Sequence, residues 1–177
     1  MIEFKLRNFK VRLVEEADAS FIVALRTDSL LSKHLHATST DIELQKEWIK
    51  AYKKREEDKK EYYFISETYN NERLGLNRLY NFANDTFELG SWIFKKGIDE
   101  SIPILADIKV RDFAYDELGF AKCRFEVRKE NKVVVRYHQL YKPTLVEEDE
   151  ANFYFELTND TYKSNKDKIL KIFGYGS

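Results

Sequence analysis

Asn131 and His138 stand seven residues apart in "ENKVVVRYHQLYKP", two helical turns along, so both fall on one side of the helix that this stretch should form. The chain has three histidines in all. An imidazole titrates near neutrality and so suits proton transfer. An asparagine at a helix start accepts from the N–H groups of the first turn. A histidine on a short amphipathic helix is also often a packed or half-exposed residue, and Tyr137 and Tyr141 are neighbouring groups for the same chemistry. Glu88, on the apolar run "ELGSWIF", is a candidate general base, its plainer alternative being a solvent-facing cross-strand pair with Arg78 or a lysine. Arg26 would position an anionic group, or else form a surface salt bridge. His34 and His36 in "SKHLHATS" have no nearby cysteine and no convincing third ligand, so no metal is expected and a loop over a binding site suits them better. The lone Cys123 reads as a buried structural thiol.

These residues need elements to position them. "FKVRLVEEAD" alternates as a strand, and "DASFIVALRTD" follows as a helix that Asp18 would cap. "DIELQKEWIKAYKKREEDKKE" carries Leu44, Trp48, Ile49 and Tyr52 at helical spacing. Three strands are expected in "EYYFISET", "RLGLNRLYNF" and "DTFELGSWIFK", joined by the turn formers "YNNE" and "FAND" as an antiparallel meander. Ile104, Leu105, Ile108, Val110, Phe113, Ala114 and Leu118 then mark a helix that ends at Gly119. "KCRFEVR" is a strand, "NKVVVRYHQLY" a short helix and "ANFYFELT" a strand. The passage from "ELGSWIF" through a helix to "CRFEVR" has the length of a parallel crossover. The expected fold class is α/β, a mixed, mostly antiparallel sheet with one parallel crossover and flanking helices.

The 177 residues suit one domain, here 1–177, with a core over about 10–157 and a C-terminal helical appendage over 158–177. Thirty basic against thirty-one acidic side chains, well interspersed, disfavour nucleic acid and anionic membrane as partners. The charged N-terminus and the lack of a long apolar run point to a cytoplasmic protein.

The order of elements, with "FELGSWIF", "VRDFAYDELGF" and "FEVRKENKVVVRYHQLY", resembles the GNAT superfamily of acyl-CoA-dependent N-acyltransferases over roughly residues 10–157. The resemblance is closest to the branch holding ribosomal-protein N-terminal acetyltransferases and amino-sugar acetyltransferases of surface-polysaccharide pathways. Glu88, Gly90 and Trp92 match an acid and a glycine on the strand before the cofactor loop. Phe113 to Gly119 match a helix end, and Asn131 an asparagine that opens the next helix. The phosphate loop reads "IDESIP", with Ile98, Ser101 and Pro103 at positions where the family usually has Gln or Arg, glycine, and glycine or alanine. Asp99 and Glu100 also put negative charge there, and the last helix runs into Lys142 and Pro143 in place of Gly-Phe.

N-acyl transfer needs an unprotonated amine, a polarised thioester carbonyl and a proton for the leaving thiolate. The resemblance implies acetyl-CoA as acyl donor, held along Trp92, Ile93, Phe94 and Lys95, by Ser101 and Ile102 at a helix N-terminus, and by Asn131. A bulge near Gly90 and Ser91 would free N–H donors for the carbonyl oxygen. His138 stands where many members place a tyrosine acid, with Tyr137 as the alternative, and Glu88 acts as base, directly or through a water. Arg26, His36 and Tyr80 are expected on the acceptor side, with Tyr63 and Trp48 nearby. The implied activity is acetyl transfer to a small-molecule primary amine, that of a nucleotide-linked amino sugar, by a chain able to form a homodimer. A protein N-terminal acetyltransferase, or a non-catalytic binding protein with a degenerate loop, are the alternatives.

Overall fold

Left-handed backbone marks the turns that hold the strands. Asn71 (φ 65°) and Asn84 (φ 53°) sit between consecutive strands, and asparagine adopts this region at little cost. The structure, a computed structural model, describes residues 2–31, 33 and 37–175. His34 and His36 therefore lie outside the described residues.

The elements run β1 (Glu3–Lys5), β2 (Phe9–Leu13), a 3-10 turn (Glu16–Asp18), α1 (Ala19–Thr27), α2 (Ile42–Glu57), β3 (Tyr62–Thr68), β4 (Arg73–Ala83), β5 (Thr86–Phe94) and α3 (Ser101–Asp112). A π turn (Phe113–Glu117) extends α3, and β6 (Lys122–Arg128), α4 (Lys132–Gln139), β7 (Thr144–Glu148), β8 (Asn152–Thr158) and α5 (Asn159–Ile172) complete the chain. Strands follow the hydrogen-bonded order β1-β2-β3-β4-β5-β6-β8-β7. β5 and β6 are parallel; β1 with β2, β2 with β3, β3 with β4, β6 with β8 and β7 with β8 are antiparallel. This is the mixed sheet with one parallel crossover that the pattern predicts.

Chain contacts fall into two compact units, residues 1–81 with 91–110, and residues 82–90 with 111–177. In the first, Val14, Ile22, Leu25, Ile49, Tyr52, Tyr63, Ile65, Leu76 and Ile93 form the core between α1, α2 and the strands. Buried Asp18 anchors the chain entry to α1. It does not cap α1 as the sequence suggests; it accepts from the Glu15 N–H at 2.8 Å, from Arg12 Nη1 at 2.8 Å and from Arg73 Nε at 2.6 Å. Asp41, by contrast, caps α2 through the N–H groups of Glu43 and Leu44. Gly75 lets the Phe94 ring lie on β4, since a Cβ there would fall 2.1 Å from a ring carbon.

The second unit has an aromatic core. Phe87 meets Tyr115 edge-on, Phe125 stacks near Phe155, and Tyr162 lies against Tyr115 and Tyr141. The α3 helix widens into its π turn, with the Leu118 N–H reaching Phe113 O, before left-handed Gly119 (φ 77°) ends it. In α5, Tyr162, Asn165 and Ile169 are buried at spacings of three and four, and Lys166 pairs with Asp112 at 2.7 Å. Two strands escape the alternation argument: β1, only three residues long, and β7, exposed at all five positions.

Candidate active site

In the first unit a pocket of about 320 Å³ is lined by α1, the start of α2, and the strands. Period-two alternation on β4 places Arg78 on the same face as Leu76, beneath the two helices. Arg78 lines the pocket with Arg26, Trp48, Tyr63, Thr38 and Ser91. Its guanidinium lies 5.1 Å from the Trp48 ring centre and 4.7 Å from that of Tyr80, and its Nε donates to Glu61 at 2.6 Å. Arg55 also donates to Glu61, at 2.7 Å. Glu61 thus holds Arg78. Arg26 donates from Nε to Thr38 Oγ1 at 2.7 Å and from Nη1 to Ser91 Oγ at 3.0 Å. Burial raises the Tyr63 phenol above its usual range, against the pull of the Arg26 charge and of hydrogen bonds with Ser91 and Arg26. Asp41 is the carboxylate in the lining, and it is engaged with the α2 N-terminus. Two guanidinium groups therefore line a small cavity of mixed polar and apolar walls, a setting that favours an anion.

The residues expected along the donor strand are also in this unit. Trp92 Nε1 donates to Pro103 O at 3.1 Å, Ile93 is buried in the core, and Phe94 covers Gly75. Lys95 pairs with Glu72 at 3.1 Å and lies over the Phe21 ring. At the start of α3, Asp99 Oδ1 accepts from the Ser101 N–H at 2.9 Å and from Ser101 Oγ at 2.6 Å, and the Ile102 N–H donates to Asp99 O at 3.0 Å. The Ser101 hydroxyl, then its amide, hold Asp99 below the usual carboxylate range. An incoming diphosphate would fit this helix start only by displacing the carboxylate that now uses its donors.

The second unit holds the remaining candidates. Asn131 Oδ1 accepts from the Val134 N–H at 3.4 Å, so it caps α4 as expected. His138 is buried with its ring 4.5 Å from that of Phe125. Its Nδ1 lies 3.4 Å from Arg111 Nη2. A guanidinium only donates, so Nδ1 accepts and the ring proton belongs on Nε2. Burial, then the Arg111 charge, hold this histidine well below its usual range. Both influences disfavour the imidazolium that an acid role would need. Tyr137, also buried, shares a 2.9 Å hydrogen bond with the Tyr141 hydroxyl. Glu88 is partly exposed and in register with Arg124 of β6. Buried Cys123 accepts from Arg111 Nη1 at 3.4 Å. Among the described residues no cluster of three or more metal-ligating side chains occurs.

This sheet, with its single parallel crossover and its helices, is the architecture of an acetyltransferase. The family model described as an acetyltransferase (GNAT) domain matches residues 8–140, and the chain belongs to that family. It is thereby an acetyl-CoA-dependent N-acetyltransferase. No curated protein matches the sequence. Among solved structures, one described as apo FdhC, a nucleotide-linked sugar GNAT, is 34% identical, covers 98% of this chain and 100% of its own, and superposes with a TM-score of 0.84. The ribosomal-protein-S5-alanine acetyltransferase from Vibrio fischeri is 13% identical over 92% of this chain and 99% of its own, at 0.80. A dodecameric spermidine N-acetyltransferase from Vibrio cholerae is 18% identical over 88% and 96%, at 0.70. The last two likenesses concern the fold alone.

Arg78 is the site residue that sequence reasoning placed elsewhere. Its spacing from Leu76 and Tyr80 on one strand was the available signal, but the Glu61 partner that fixes it is 17 residues away.

Proposed function

We propose that the chain acetylates the amine of a nucleotide-linked amino sugar. The observation that carries this reading is the pocket faced by Arg26 and Arg78. Paired guanidinium groups suit the diphosphate of such a substrate. The same charge argues against a polyamine acceptor, which would bring like charge to both arginines. The 34% identity with a nucleotide-linked sugar GNAT supports the same acceptor class.

Acetyl-CoA supplies the activated acetyl group. On the side of the chain, the N–H groups of Trp92 and Ile93 are the donors for the carbonyl oxygen, and Asn131, Phe94, Lys95, Ser101 and Ile102 are the further contacts. Tyr80 backs Arg78 on the acceptor side. Glu88 is the base that frees the amine of its proton. Tyr137 is the acid: a phenol has a proton to give at neutral pH, whereas burial and the Arg111 charge disfavour the imidazolium that His138 would need for the role. A homodimer acting in the cytoplasm completes the reading; among the described residues no helix is long and apolar enough to cross a membrane.

The test is release of free thiol from acetyl-CoA with a panel of amines. Turnover is expected with nucleotide-diphosphate amino sugars and not with spermidine or the free sugars. Turnover confined to peptides with a free N-terminus would overturn the acceptor, and failure to bind acetyl-CoA at millimolar concentration would leave a binding protein on an acetyltransferase fold.

A further inference from the structure

Ser91 has a φ of 49°, a left-handed backbone in which a Cβ crowds the next carbonyl and glycine is the usual occupant. Side chains along a strand alternate between faces. β5 pairs in parallel with β6 over Thr86, Phe87 and Glu88, and farther along Trp92 reaches Pro103 in α3 while Ile93 joins the core under α1 and α2. A left-handed residue inside a strand breaks this alternation; Ser91 is such a residue, and the break is a bulge.

The serine pays for that conformation with its side chain. Its Oγ accepts from Arg26, which Thr38 grips at 2.7 Å, and buried Tyr63 lines the same pocket as both. We propose that Arg26 is a positioning residue: through Ser91 it clamps the bulge in β5 and so sets the direction of the Trp92 and Ile93 amides. The consequence for acetyl transfer rests on the proposed function; the clamp does not. One guanidinium then serves the anion pocket and the donor strand together, so a ligand that draws Arg26 into the pocket also acts on β5.

Two measurements test it: amide hydrogen exchange at Trp92 and Ile93, and acetyl-CoA affinity by calorimetry. Arg26→Met and Ser91→Ala are each expected to speed exchange and weaken acetyl-CoA binding by about tenfold, the worth of one charge-assisted hydrogen bond. Ser91→Gly, which enters the left-handed region unaided, should stay within about twofold on both readouts. Adding Arg26→Met to Ser91→Gly should then change neither. Unaltered exchange in Arg26→Met, or an equal loss in the Ser91→Gly background, would overturn the clamp and leave Arg26 as an acceptor ligand. Should Arg26→Met fail to fold, Ser91→Ala against Ser91→Gly decides alone. Absence of acetyl-CoA binding by the wild-type chain would instead remove the donor reading, and exchange would still decide the clamp.

Discussion

The α4 residues divide by protonation state. His138 is wedged against Phe125 and Arg111, so its transfer from water and the nearby cation both disfavour the imidazolium. With Tyr137 as acid, Tyr137→Phe should lower kcat by about a hundredfold, the low end for a lost general acid, with little change in acetyl-CoA affinity. His138→Phe should keep turnover within about threefold, a change too small for a lost acid. The reverse ranking in a steady-state assay would return the role to His138. The seven-residue spacing of Asn131 and His138 was legible, and so was the cap. The charge state of His138 was not, because it depends on Arg111, a residue 27 positions away that sequence reading had no reason to place beside it.

At the scale of elements, most of the pattern was readable because one face of each helix and strand is apolar. The meander β3 to β5 and the crossover through α3 follow directly from period and turn chemistry. What was hidden depends on neighbours. The burial of α5 is carried by Tyr162, Asn165 and Ile169 among polar residues, too sparse a stripe to show in sequence. The bulge in β5 was expected near Gly90 and Ser91, but its hold on Arg26 was not readable from residues 65 positions apart. Gly75 is equally contextual: it is needed because Phe94 crosses above it. Gly75→Ala must push that ring aside and should destabilise the fold by about 2 kcal/mol, read from the urea midpoint. If the midpoint stays put, the Phe94 contact does not hold the end of β5.

For the molecule as a whole, the nearly balanced charge hides concentrated ion pairs. Arg12 links Asp18 and Glu67, and Lys10 also reaches Glu67. Burial pushes both carboxyls upward, but bonds from Arg12 chiefly, with the Glu15 amide and Arg73 for Asp18 and Lys10 for Glu67, leave each below its usual range. Folded-state values lowered in this way stabilise the protein above the unfolded carboxylate range, near pH 4, and that stabilisation is lost as pH falls through the folded values. Asp18→Asn should therefore cost about 2 kcal/mol at pH 7 and progressively less in denaturation curves taken toward pH 2. A penalty independent of pH would mean that packing, not charge, is what Asp18 supplies.

The final strand in the hydrogen-bonding order, β7, carries Leu145 and Val146 uncovered. An uncapped ladder of this kind invites other chains to add on and grow into aggregates. The acidic run from Glu147 to Glu150 works as a gatekeeper, since two such borders laid side by side would repel each other.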